Sequence, residues 1–193
     1  MRKIRNICMG STLALFLLFV LSGCFNRQEV VTEEVTDTYQ VDSQDKKWSS
    51  DKSKGAIPDT AIAGKINGEE VTIQDVQIST YGDEYSWSFS NEAPEKTCGM
   101  MTDNNEVNFS SIALKEGTFE KAMDEEVDFD EYHAYYMYQQ ENGTPMSVNV
   151  DWAAKVVVDS VDGESNTVTG FARFDFGDGE TLIEGKFTAD LCE

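Results

Sequence analysis

TVTGFARFDFGDGETLIEGKFTADLC, residues 167–192, decides the fold. Val168, Gly170, Ala172, Phe174 and Phe176 fall on one side of a period-two pattern, and Thr167, Thr169, Arg173 and Asp175 on the other. That alternation describes a strand with one face buried. Asp178-Gly179 reads as a two-residue turn. Leu182, or its neighbours Ile183, Phe187 and Ala189, line the next strand. Upstream, Val148, Val150 and Trp152 alternate, Val156-Val157-Val158 extends the run, and Asp162-Gly163 marks another turn. Three turn-linked strands about ten residues apart predict an antiparallel meander.

The same period continues outward. Ile62, Gly64 and Ile66 precede Asn67-Gly68, a strong hairpin dipeptide because both central residues need positive φ. Val71, Ile73, Val76 and Ile78 resume the alternation, with a break near Gln74-Asp75 that reads as a bulge. Tyr85, Trp87 and Phe89 give an aromatic face, and Val107 with Phe109 a further strand. Residues 132–138, YHAYYMY, are aromatic and strand-prone. Residues 117–127, GTFEKAMDEEV, admit two readings: a short helix on Phe119, Met123 and Val127, or a strand from Gly117. The fold expected is all-β, an antiparallel β-sandwich or open barrel of about eight to ten strands over residues 60–193.

The N-terminus is different. Arg2, Lys3 and Arg5 precede the uncharged apolar run STLALFLLFVL, residues 11–21, and then Leu21-Ser22-Gly23-Cys24. Charge, apolar stretch and small residues in this order make a secretory signal, and the run is short of the about 20 residues of a membrane span. Leu-Ser-Gly-Cys resembles the lipobox of bacterial lipoproteins. The resemblance implies cleavage after residue 23 and a diacylglyceryl thioether on Cys24. Acyl chains at about 0.8 kcal/mol per buried CH₂ would then hold the protein to a cell membrane, its body periplasmic or on the surface. Phe25 stands where many inner-membrane lipoproteins carry Asp, which leaves the outer membrane as a destination.

Residues 24–59 are polar without a sustained period and read as the lipidated Cys and a flexible tether spanning on the order of 30 Å. The chain carries 15 Lys and Arg against 36 Asp and Glu. Loss of residues 1–23 removes three cations and leaves a net charge of −24. Such a body repels nucleic acid and gains nothing from anionic headgroups, so the acyl chains alone must anchor it.

Of four Cys, Cys8 leaves with the signal and Cys24 takes lipid. Cys98 and Cys192 remain, an even pair in an exported protein, and are expected to be bridged. The C-terminal pattern, Val168-Thr169-Gly170-Phe171, Asp178-Gly179, Gly185-Lys186-Phe187 and Cys192, resembles small β-rich bacterial lipoproteins of uncharacterised activity. That resemblance implies fold, disulfide and export, and no catalytic residue.

His133 is the only histidine, and Ser86, Ser88, Ser110 and Ser111 lack any nucleophile-elbow context. Glu84, Asp128, Asp130, Glu131 and Asp151 flank aromatic strands and offer carboxylate pairs for a small envelope carbohydrate hydrolase. Asp128, Asp130 and Glu131, with Asp124-Glu125-Glu126 beside them, are also weak candidates for a divalent cation, as are Asp159, Asp162 and Glu164, or Asp175, Asp178 and Glu180. None has the spacing of an EF-hand loop. No cofactor is implied. The leading expectation is a non-catalytic envelope module that binds protein or glycan. Its candidate aromatics are Tyr85, Trp87, Tyr135, Tyr136, Tyr138 and Trp152, at least half of them expected in the core.

Overall fold

The computed structural model describes residues 47–100 and 104–192. The signal segment, Cys24 and the tether up to residue 46 lie outside the described residues.

The described chain is all strand and turn. Its strands are β1 (Trp48–Ser49), β2 (Ala63–Ile66), β3 (Glu69–Thr72), β4 (Asp75–Tyr81), β5 (Glu84–Ser90) and β6 (Glu106–Ser111). They continue with β7 (Gly117–Lys121), β8 (Tyr132–Gln139), β9 (Pro145–Val148), β10 (Trp152–Asp162), β11 (Thr167–Phe176) and β12 (Leu182–Cys192). One sheet holds them all, in the order β1-β7-β10-β11-β12-β4-β5-β6-β8-β9, with the β2–β3 hairpin branching from β12. The sheet curls into a half-barrel. Strands second and ninth along the path touch across it, the rings of Phe119 and Tyr132 lying 4.8 Å apart.

The meander read from residues 152–192 is β10-β11-β12, paired antiparallel throughout. Its inward face is the predicted one: Val168, Gly170, Ala172, Phe174 and Phe176 are buried. Phe174 meets Phe89 of β5 at 5.2 Å and Phe109 of β6 at 5.6 Å, so rings from both halves of the path fill the interior. Asn67 and Gly68 both take positive φ, as their hairpin requires.

Several expectations are corrected. The sheet is mixed, because Asp190-Leu191-Cys192 pair parallel with Gln77-Ile78-Ser79. Earlier on that edge residues 182–184 pair with β2 and Lys186 bridges Ala61, and β4 takes the last three residues of β12. Gln74 is a link between β3 and β4 rather than a bulge. Of the two readings of residues 117–127 the strand is the one found, over Gly117–Lys121, with Phe119 facing the interior beside Trp48 and Tyr132. Val148, Val150 and Trp152 do not share a strand: the chain leaves β9 at Val148 and enters β10 at Trp152. The turn after Asp162 spans four residues, with the positive φ at Asn166 instead of Gly163.

The folded body also starts earlier than residue 60. Trp48 is only 7% exposed and pairs β1 to β7. Ile57 packs with Val157 and Phe171 on the outer face of the sheet, and Lys54 lies 4.7 Å above the Phe171 ring. Lys52 donates to Glu116 at 2.6 Å and to the Asp159 carbonyl at 2.7 Å. Two well-placed apolar residues are enough to pin a stretch whose average composition is that of a linker.

Candidate binding cleft

The chain between β7 and β8 and the short link between β9 and β10 form the two lips of one cleft. Ala122 to Glu125 turn back on themselves: the Glu125 amide donates to the Ala122 carbonyl, and the Ala122 amide to the Glu125 carboxylate, both at 3.2 Å. Asp128 then organises the entry to β8. Its carbonyl accepts the Glu131 and Tyr132 amides, and its carboxylate accepts the Asp130 amide. The opposite lip is Asn149-Val150-Asp151, fixed by the Gly177 amide on the Asp151 carbonyl at 2.7 Å.

Between the lips lies a cavity of about 620 Å³. Tyr132 and Trp152, both buried, reach it from the core. Its rim is apolar and open to water: Phe129 is 68% exposed, Met123 37% and Val150 37%. Three of the seven exposed large hydrophobic residues among those described therefore gather at one opening. The Phe129 ring lies tilted against His133 at 4.0 Å, and His133 stacks on Tyr135 at 5.5 Å along β8.

Charge around the cleft is negative. Asp124, Glu125, Glu126 and Asp151 line it against one cation, Lys121. That lysine is 6% exposed; its ammonium donates to the carbonyls of Trp152 at 2.6 Å and Ala122 at 3.1 Å and sits 4.7 Å over the Trp152 ring. Burial pushes the Lys121 ammonium down, against the pull of Glu125, Asp151 and Asp124. Glu125 is held below the usual carboxylate range by its ion pair with Lys47. Burial also lowers His133, outweighing the hydrogen bond to Asn149 that raises it, so the imidazole is neutral at pH 7.

The residues singled out from the sequence distribute unevenly. Asp124, Glu125, Glu126, His133, Asp151 and Trp152 reach the cleft. Asp128, Asp130 and Glu131 do not line it; Asp128 and Asp130 are tied to each other by backbone-to-carboxylate bonding within the turn. Asp162 and Asp178 likewise cap turns, accepting amides from Glu164 and Ser165, and from Glu180 and Thr181. Among the described residues no group of three or more His, Cys, Asp or Glu is placed to hold a metal ion. Trp87 and Tyr136 are core with Trp152, while Tyr85, Tyr135 and Tyr138 are half-buried. Ser110 stands opposite His133 in the register, yet the imidazole is bonded to Asn149. Ser111 bridges the Trp87 indole and the Ala113 carbonyl, and Ser88 donates to Glu106.

Lys121, Met123, Phe129, Asn149 and Val150 were not legible as site residues. The available signal was Met123 and Phe129 within an acidic run, where solvation alone asks for no large apolar side chain.

A second hollow of about 610 Å³ lies on the outer face, floored by Ala56, Ile57 and Ala153. Three of its cations are paired, Lys155 with Glu120 at 3.5 Å, Arg173 with Asp175 at 3.3 Å and Glu184 at 2.9 Å, Lys54 with Asp59 at 3.8 Å, and Lys121, which also lines it, is bonded to the Trp152 and Ala122 carbonyls. Comparison of the chain with known protein families, with characterised proteins and with solved structures finds no match.

Proposed function

We propose that this is a lipid-anchored cell-envelope protein, held through Cys24 and without catalytic activity, whose half-barrel binds a partner in the cleft between the β7–β8 and β9–β10 connections. The observation that carries the reading is the exposed rim of Phe129, Met123 and Val150 over the buried rings of Tyr132 and Trp152. Exposed apolar side chains cost free energy in water, and their gathering at a concave mouth marks a surface that is covered in use. A general acid would need a carboxylate with raised proton affinity. Glu125, at the cleft, is moved the other way by its hydrogen bond from Lys47.

The test is photo-crosslinking in intact cells. A photoreactive side chain at Phe129 should give a discrete adduct, and one at Tyr81, which is exposed outside the cleft, should not. Equal adducts from both positions, or none from Phe129, would contradict the reading.

A further inference from the structure

We infer that the occupant of the cleft is a cationic, amphipathic peptide segment, a Lys or Arg next to an apolar side chain; this rests on the cleft being the binding site proposed above. Three observations converge on that chemistry.

Charge comes first. Among the described residues none forms an ion pair with Asp124, Glu126 or Asp151, whereas Glu125 has Lys47. Three carboxylates around one opening attract a cation and repel an anion. The neutral imidazole of His133 does not offset them.

The second observation is Lys121. The protein places an ammonium of its own here, over an aromatic face and against two carbonyls. The walls therefore already accommodate an alkylammonium by cation–π and carbonyl contact. One such group does not balance the carboxylates around it.

The third is the rim. A bare metal ion or a simple polyamine would use the carboxylates and leave Phe129 in water. A neutral glycan would cover the rim and make no use of the charge. A segment bearing both a cation and an apolar side chain satisfies both. The chain itself is a poor source of that segment. Residues 25–46 carry six acids against Arg27 and Lys46, and a second copy brings another −24.

The experiment uses the full lipidated protein in neutral maltoside detergent, with a detergent blank, and isothermal titration of four blocked tripeptides: Lys-Phe-Lys, Lys-Ser-Lys, Gln-Phe-Gln and Glu-Phe-Glu. Lys-Phe-Lys should bind tightest. Asp124→Asn with Glu126→Gln should weaken it about tenfold, and so should Phe129→Ser, a change at a largely exposed side chain, with an unchanged Tm showing that the variant is folded. Glu92→Gln with Glu95→Gln, which removes the same charge outside the cleft, should change it by less than about twofold. Equal weakening by the two charge pairs, with Lys-Ser-Lys binding as well as Lys-Phe-Lys, would reduce the effect to bulk acidity and overturn the inference. Gln-Phe-Gln binding as tightly, and losing affinity on Phe129→Ser, would overturn the cationic occupant while leaving the cleft as a binding site. Binding of none of the four would also overturn it, and crosslinking at Phe129 would still decide the cleft on its own.

Discussion

Tyr136 and Asp178 meet across the interior's edge, the phenol donating to the carboxylate at 2.6 Å. Burial and the carboxylate's charge push the Tyr136 phenol up to about 12. Burial acts to raise Asp178, but hydrogen bonds from Tyr136, the Glu180 and Thr181 amides and the Thr181 hydroxyl outweigh it and hold the carboxyl below its ordinary value. Tyr136→Phe should cost about 1 kcal/mol in denaturant titration at pH 7, a small figure because Asp178 keeps water contact. The phenol's folded pKa is raised, so its contribution is present below pH 10 and fades between pH 10 and about 12. The Asp178 contribution has the opposite sense and is lost as pH falls below the ordinary aspartate value. Asp75 behaves differently. Burial first, and then Asp190, raises its carboxyl against the hydrogen bond from Gln77. A raised carboxyl destabilises the fold when ionised, so Asp75→Asn, which keeps an acceptor for Gln77, should raise Tm at pH 7. The gain should shrink towards zero near pH 3. Gly170 is a packing constraint: a Cβ there would lie 1.9 Å from the Val157 carbonyl, beside the bulge in β10. Gly170→Ala should cost about 3 kcal/mol by the same titration. Its place on the inward face could be read from the alternation, whereas the approaching carbonyl could not, because register is a property of two strands together.

At the scale of elements, β1 is two residues long and still matters. Trp48 closes the outer end of the path, its ring 6.0 Å from Phe119. Trp48→Ala should destabilise by about 3–4 kcal/mol, measured by urea unfolding. Limited proteolysis of the native protein should spare residues 47–59, since Lys52, Lys54 and Ile57 are held on the sheet. Cleavage within that stretch at the rate of a flexible linker would contradict the packing. Long strands with strict alternation, β5, β11 and β12, were legible because half of each faces a core. Among the shorter elements the β2–β3 hairpin was legible through Asn67-Gly68, whereas β1, β7 and β9 were not. Alternation across Val148, Val150 and Trp152 is real in the sequence, but the chain changes strands between them, and periodicity does not register a corner. The cleft lies on two such corners, the β7–β8 and β9–β10 connections, so it fell outside what periodicity reports.

For the molecule as a whole, the sheet is two antiparallel halves, β1-β7-β10-β11-β12 and β4-β5-β6-β8-β9, whose strand pairing is continuous through three residues at the end of β12. The bridge between Cys98 and Cys192 sits on that junction. Its existence followed from counting thiols in a chain whose N-terminus reads as an export signal. Its mechanical role did not, because the parallel seam joins residues more than a hundred apart. Closing 94 residues of chain, the bridge should contribute about 4 kcal/mol, and Cys98→Ser with Cys192→Ser should lower urea-unfolding stability by that order. Composition foretold the acidity of the surface and not where its effect concentrates. The most direct test of the whole account is the intact mass of the native protein after detergent phase partitioning of its cells. The account predicts residues 24–193 in the detergent phase, with diacylglycerol on Cys24 and no free thiol. A chain retaining Met1, in the aqueous phase and with Cys98 and Cys192 reduced, would contradict it.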